Sequence, residues 1–559
     1  MNRFPSRIKS RFAVLSLAAL AAAAAVLALS LVSGPGRAMA SSTELALFEE
    51  NSHLLSGNPT HALATLRLLG VDEVRVILSW REITRLPLNH HKPQGFNGAD
   101  PASYPSGRWT AYDRLVRDAA TAGIKIQFDL TGGAPLWATG SGAPRAGSPH
   151  WSWKPSVREF GAFVHAVGER YSGNYDPQTN SLKPGNPSDL PAVRSWSSWN
   201  EPDYGPSLSP QGLPGNTSVE YAPYEYRNLL DATWTQLGKT GHGHDTILFG
   251  EVAPRGKTSF GLFQGIKPLQ FVRALYCVDA NYHELRGSAA SERGCPTTAA
   301  ASRRFASQHP ALFKASGFAD HPYTRWYPPD VELQSDPDYS SLPEVWRLER
   351  ALDRVQQVYG SHRKLPIYDT EYGYITSPPQ HETSTNHFVP PNTAAYYLNW
   401  AEYLHWKDPR IVSYDQYLLY DPRPPQAPYY GGFASGLLSF RGGIKPTYYA
   451  YRLPLYLPVT NAKKGQAVEV WGCIRAAKFA IRDTGLPQSA RLQFEPAGGG
   501  SYTTLRTITV SDPSKCYFDL RLTLPSSGTL RLSYTYPASD PLLPENYTVY
   551  SRHVQVTVK

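Results

Sequence analysis

Two glutamates stand where a carboxylate could do chemistry. Glu201 closes the stretch Arg194-Ser195-Trp196-Ser197-Ser198-Trp199-Asn200 and is followed by Pro202. An aromatic strand is expected to stop there, because the proline has no N–H to donate and drives the preceding residue out of helical geometry. A carboxyl at the end of a buried strand, beside Trp196 and Trp199, is expected to hold its proton to higher pH, as a general acid requires. Glu371 lies in Tyr368-Asp369-Thr370-Glu371-Tyr372-Gly373-Tyr374. Hydroxyl donors there, with Arg75, would keep it ionised. One protonated and one ionised carboxyl form the pair that acid-assisted displacement needs. A strand-end glutamate can also do no more than cap the chain or pair with an arginine, so the elements that carry the two must decide.

Those elements alternate. Strand-like segments are expected at 45–48, 73–78, 125–130, 194–199, 247–250, 318–321, 366–370 and 411–416, with helical spacing at 60–69, 109–122, 156–171, within 224–239, and around 342–359 and 393–405. Eight such units within about 410 residues predict a closed (β/α)8 TIM barrel in an α/β chain. The alternative, an open doubly wound sheet, usually brings a Gly-rich phosphate loop after its first strand, and none is present. From about Ala467 the pattern changes to short alternating runs at 468–471, 478–481, 490–494, 505–510, 517–522, 530–536 and 553–558. These predict a small all-β sandwich over 467–559, joined through a linker at 461–466 to a barrel domain over 41–460.

Composition narrows the classes. The 559 residues are 41% hydrophobic and 18% charged, enough for a large core and an additional domain. Aromatic residues reach 12%, which suits surfaces that stack flat hydroxylated ligands as well as core packing. Residues 1–40 read as a signal peptide: Arg3, Arg7, Lys9 and Arg11 precede an uncharged run over 12–32, and Ala38-Met39-Ala40 offers small residues for cleavage. The expectation is secretion, with an uncleaved anchor through 12–32 as the one route to a membrane, since 21 residues can span a bilayer. Without residues 1–40 the net charge falls from +9 to +4, which gives no reason to propose a nucleic-acid partner. Cys277, Cys295, Cys473 and Cys516 fit an oxidising compartment, and local pairing, Cys277 with Cys295 and Cys473 with Cys516, is favoured among three connectivities. His90-His91 and Gly241-His242-Gly243-His244-Asp245 lack a third ligand at useful spacing, so neither metal nor cofactor is expected.

In a (β/α)8 barrel the working residues project from the C-terminal strand ends. Strand two offers Arg75, strand three Asp129 and then Trp137, strand four Asn200 and Glu201, strand five Glu251, strand six His321 and Tyr323, strand seven Glu371, and strand eight Asp415, Gln416 and Tyr417. Glycoside hydrolysis with retention needs two carboxyls about 5–5.5 Å apart. Glu201 and Glu371 fall on strands four and seven, which face each other across such a barrel.

Trp199-Asn200-Glu201-Pro202 and Thr370-Glu371-Tyr372-Gly373, on those two strands, resemble clan A of the retaining (β/α)8 glycoside hydrolases, in its family 39 and family 5 branches. The resemblance extends over most of 44–452, through Arg75, Gly133-Ala134-Pro135-Leu136-Trp137, Phe249-Gly250-Glu251-Val252-Ala253-Pro254, His321-Pro322-Tyr323 and Gly443-Ile444-Lys445-Pro446. It implies that Glu201 is acid/base, Glu371 nucleophile, Asn200 the partner of the sugar 2-hydroxyl, and Tyr323 the residue that orients Glu371. Arg75, Trp137, His321 and Gln416 complete the expected substrate-binding set. Asp129-Leu130-Thr131-Gly132 replaces the histidine that many clan members carry after strand three, and Gln416-Tyr417 replaces a strand-eight tryptophan, so the substrate differs sooner than the reaction. The expected function is cleavage of a poly- or oligosaccharide without cofactor. A non-catalytic carbohydrate-binding protein on the same scaffold, or a transglycosylase, is the alternative. The sandwich, without an obvious exposed aromatic cluster, reads as a packing or spacer module.

Overall fold

Strand alternation in this chain separates two environments, and the architecture follows from that separation. The computed structural model describes residues 43–144, 150–332, 336–383, 386–423, 432–538 and 547–559; the expected signal peptide lies outside them. Eight parallel strands close into a barrel in chain order: β1 (Leu45–Glu49), β2 (Glu73–Ser79), β3 (Lys125–Thr131), β4 (Ser195–Ser198), β5 (Thr246–Val252), β6 (Gly317–Asp320), β7 (Ile367–Asp369) and β8 (Ile411–Tyr417). The principal helices that follow them in turn are α1 (Pro59–Leu68), α2 (Ser106–Ala122), α3 (Val157–Arg170), α4 (Ala222–Lys239), α5 (Pro268–Leu275), α6 (Val345–Val358), α7 (Pro391–Lys407) and α8 (Pro446–Arg452). This is a (β/α)8 TIM barrel.

One parity of each strand is apolar and meets the helices. Phe128 of β3 packs on Tyr112 of α2 and on Tyr171 at the end of α3, while Phe160, Phe163, Val164 and Val167 give α3 its buried face. The opposite parity faces the barrel axis and is polar: Glu73 and Arg75, Gln127 and Asp129, Ser195 and Ser197, Ser413 and Asp415 are all buried. Local signals set the helix ends. The Ser156 hydroxyl accepts from Glu159 N–H at 3.4 Å to cap α3, and Gly123, at φ +69°, closes α2 in the left-handed conformation.

A β-sandwich follows the barrel. Its smaller sheet runs β9 (Leu455–Tyr456), β11 (Ala467–Cys473), β14 (Tyr517–Thr523). The larger runs β10 (Asn461–Ala462), β17 (Val554–Val558), β15 (Gly528–Thr535), β12 (Gln488–Pro496), β13 (Thr503–Val510), with β16 (Thr548–Tyr550) paired to β15. Val468 and Val470 share a core with Leu492, Phe494, Leu530 and Leu532. Two expectations change here. The segment 478–481, expected as a strand, begins helix α9 (Lys478–Thr484), which Gly485 ends at φ +67°; an apolar run of Phe479, Ala480 and Ile481 has no period that separates the two forms. Residues 461–466, expected as a linker, contribute β10, and β9 precedes them.

The sandwich docks beside the N-terminal ends of β1 and β2. Asp72 receives Lys478 and, at 2.7 Å, Arg482; Arg475 reaches Glu402 and the Tyr451 carbonyl; the Tyr517 hydroxyl donates to Glu44 and Glu402, each at 2.9 Å. Cys277 is bonded to Cys295 and Cys473 to Cys516. Among the described residues, no helix is long and apolar enough to cross a membrane.

Candidate active site

Arg75 is the centre of the site. Inner parity on β2 buries its side chain completely inside the barrel, where a guanidinium must be paired. Nη1 donates to Glu49 and, at 2.9 Å, to Glu371 Oε1; Nη2 donates to Asn200 Oδ1 at 2.7 Å, and to Asp129 Oδ2 and Glu251 Oε2 at 3.1 Å each. One side chain thereby ties together the ends of β1, β3, β4, β5 and β7.

A second cation lies above it. His321, just past β6 and fully buried, contacts Glu251 Oε2 through Nε2 at 2.8 Å and Glu201 Oε1 through Nδ1 at 3.2 Å. Glu371 Oε2 is 3.6 Å from the same Nδ1 and accepts a hydrogen bond from the Tyr323 hydroxyl at 3.2 Å. Burial alone would deprotonate the imidazole, but the Glu371 charge and the bonds to Glu201 and Glu251 outweigh it and raise its pKa well above the ordinary value. A carboxyl oxygen faces each ring nitrogen, an arrangement that favours the imidazolium, in which both nitrogens donate.

The carboxyls divide by their partners. Burial pushes Glu251 up, yet Arg75, His321 and Ser197 together bring it down to about 2. Glu49 and Asp129 are pushed up to about 8, chiefly by burial against the opposing pull of Arg75, so both are neutral near pH 7. For Glu371, burial raises the pKa, His321 and Arg75 restrain the rise, and the Glu251 charge adds to it. Two cations thus face a small number of true anions, which is how so many carboxyls share one buried pit.

Strand ends aim the groups. Glu201 and Glu251 take left-handed backbone, at φ +43° and +49°, and a main-chain bond of 2.9 Å from Glu201 N–H to the Glu251 carbonyl locks the two turns together. Such conformations cost on the order of 1–3 kcal/mol each and persist only where surroundings enforce them. The acid oxygens of Glu201 and Glu371 and a ring nitrogen of His321 all lie within 4.8 Å of one another. Three such atoms could hold a cation, but Arg75 already pairs with Glu371 Oε1 and the His321 ring already faces Glu201 Oε1 and Glu371 Oε2. Above them opens a cavity of ≈ 540 Å³, with Asn200, Glu201, Tyr323, Glu371 and Tyr417 on its wall.

Not every expected residue reaches this pit. Gln416 has the parity of Tyr414, not of Asp415 and Tyr417, and its amide donates to the carbonyls of Tyr417 at 2.8 Å and Ser435 at 3.0 Å, bracing a loop. Trp137 sits on a short 3-10 helix after β3, its ring edge-on to Phe96 at 5.7 Å, and does not line the cavity. Trp196 and Trp199, expected to surround Glu201, turn outward: the first packs on Phe128 and His242, the second on Phe160 of α3. Glu201 instead has His321 as its neighbour and keeps about a fifth of its side chain exposed, 22%. Glu49 was not anticipated; its signal is its parity with Leu47, one residue beyond the expected end of the first strand.

No family model matches the chain, and no curated protein does. Solved structures it is similar to include glycoside hydrolases. A family 39 enzyme from the gut symbiont Bacteroides cellulosilyticus WH2 is 14% identical, over 86% of this chain and 82% of that one, with a TM-score of 0.45. The family 39 enzyme of Xanthomonas axonopodis pv. citri is 13% identical over 87% and 94%, with a TM-score of 0.42. An endo-β-1,4-mannanase from Thermotoga petrophila is 12% identical over 93% and 98%, with a TM-score of 0.38. These likenesses add nothing to the fold, which the closed barrel establishes by itself, and what the site can do follows from its own atoms.

Proposed function

We propose that the chain is an exported, retaining glycoside hydrolase that cleaves a poly- or oligosaccharide by double displacement. The observation that carries this reading is the approach of the Glu201 and Glu371 oxygens to within 4.8 Å across the barrel mouth. Retaining enzymes hold their two carboxyls about 5–5.5 Å apart, whereas inverting ones leave about 6.5–9.5 Å for a water molecule. Glu371, held by Arg75 and Tyr323, attacks the anomeric carbon as the ionised nucleophile. Glu201, whose Oε1 accepts from His321, carries the proton on its other oxygen and delivers it to the leaving oxygen as the glycosidic bond breaks. A water then enters, Glu201 takes its proton, and hydroxide displaces Glu371 from the sugar. Asn200, which accepts from Arg75 and lines the same cavity as both carboxyls, takes the 2-hydroxyl in this reading. Export is supported by the character of residues 1–40 and by two disulfides, which persist in oxidising compartments.

The test is intact-mass spectrometry after incubation with a panel of 2-fluoro glycosides, with Glu371→Gln alongside the wild type. A glycosyl adduct on the wild type and none on the variant is expected. Glycan binding without any adduct would overturn the reading in favour of a non-catalytic carbohydrate-binding barrel.

A further inference from the structure

Two arginines on the cavity wall are not part of the catalytic network. Arg255 follows Pro254 in the loop after β5, Arg325 lies in the loop after β6, and both line the cavity that contains Glu201 and Glu371. Arg325 rests its guanidinium on the Trp326 ring, 4.0 Å from the centroid. Arg255 is half-buried, and among the described residues it has neither a hydrogen-bond nor an ion-pair partner. Other partly buried arginines are given carboxylates: Arg273 has Asp338 at 2.7 Å and Arg347 has Glu332 at 2.9 Å. Burial first, and the Arg325 charge second, bring the Arg255 pKa down to about 10, only partly opposed by Tyr339, Glu344 and Tyr327, so each cation makes the other harder to keep in the cleft. An anion between them would remove that cost.

Resting on the glycosidase reading of this cavity, we propose that the cleft takes a glycan bearing an anionic group, a carboxylate or a sulfate ester, on a sugar bound beside the catalytic pair, and that Arg255 is the residue that recognises it. A planar guanidinium offers two parallel N–H donors to either group, and charge-assisted pairs of this kind discriminate strongly against a neutral hydroxymethyl. Arg325, stacked on Trp326, adds positive potential and an aromatic edge beside it.

The experiment uses the full-length chain carrying Glu371→Gln, so that binding is read without turnover. Isothermal titration calorimetry with uronate-containing oligosaccharides, sulfated oligosaccharides and their uncharged counterparts should show one anionic series binding about ten- to a hundredfold tighter than its neutral counterpart, the range expected for a hydrogen bond to a charged group. Arg255→Gln should abolish that advantage and leave neutral binding in place, and Arg255→Lys, which keeps the charge without the two-pronged geometry, should restore only part of it. Preference for the uronate or for the sulfated series identifies the anionic group. Equal binding of charged and neutral sugars, a preference that survives Arg255→Gln, or no binding of any series would overturn the proposal. Covalent trapping of the wild type by a neutral 2-fluoro glycoside would leave the hydrolase reading standing while this one fell. A matching melting temperature for Arg255→Gln, with the same titrations on Arg325→Gln, guards against misreading a folding defect.

Discussion

Tyr323 and Glu371 show how much one hydrogen bond decides in a buried pit. Glu371 must be ionised to attack, yet burial raises its pKa, so each donor aimed at its oxygens extends the pH range over which it works. The Tyr323 hydroxyl, 3.2 Å from Oε2, donates more strongly to the charged form than to the neutral one. In Tyr323→Phe the acid limb of the kcat/KM profile should move upward by about one pH unit, corresponding to the ~1.5 kcal/mol of a hydrogen bond to a charged group. A pH–rate series on an activated aryl glycoside measures it, and an unmoved acid limb would show that the hydroxyl does not act on Glu371. Most residues of this kind were legible in the sequence because they follow a strand: Asn200, His321 and Tyr323 all stand within three residues past a C-terminal strand end, while Arg75 lies inside β2 on its inner parity. Gln416 was misplaced because a strand end supplies two parities and only one looks inward. Trp137 was misplaced because the turn after β3 carries it away from the axis, which no local pattern reveals.

At the scale of the element, β5 positions the site by breaking its own regularity. Gly317, Phe318 and Ala319 of β6 pair with Leu248, Phe249 and Gly250, but Asp320 pairs with Val252, leaving Glu251 as an extra residue in the ladder. That bulge, with Gly250 at φ +114° and Glu251 at φ +49°, turns the Glu251 carboxylate toward Arg75 and His321. Gly250 is required twice over. Its backbone is one that L-residues avoid, and a Cβ there would lie 2.6 Å from the Ala319 carbonyl oxygen and 2.8 Å from the Phe318 ring. Gly250→Ala should cost on the order of 2 kcal/mol or more in stability and reduce kcat well beyond any change in KM, because the strand must slide and take Glu251 with it. Chemical denaturation and steady-state kinetics together check this; a variant with normal stability and kcat would mean the bulge is incidental. The barrel itself was readable from its eight-fold alternation, but this bulge was not, since Phe249-Gly250-Glu251 looks like an ordinary strand end in one dimension. Helix α9 was hidden for a different reason: Lys478 and Arg482 face one way only because Asp72, some 400 positions earlier, is there to receive them.

The whole molecule is built to hold protons. Glu44 beneath the sandwich, Glu49 and Asp129 around Arg75, all pushed up to about 8 by burial, stay neutral in the folded chain well above the pH at which they ionise when unfolded. The folded state therefore binds more protons than the unfolded state between about pH 4.5 and 8, and stability must fall as pH rises through that window, by about 1.4 kcal/mol per pH unit for each such carboxyl. Buried His405 acts in the same direction. His405, raised to about 8 by its bond to Asp369 against the effect of burial, contributes stability that is complete below its unfolded pKa and is lost as pH passes the folded one. Glu251 works oppositely, but its folded pKa of about 2 confines its loss to acid, so above pH 5 its contribution is already constant. Urea midpoints should accordingly be higher at pH 5 than at pH 8. Asp129→Asn, which fixes the neutral form that the folded chain prefers, should fold and should flatten the slope by the share of one proton. Stability that was level or rising from pH 5 to 8, or a slope unchanged in Asp129→Asn, would mean that these carboxyls are ionised in the folded barrel, and the pit would then have to balance its charge through Arg75 and His321 alone.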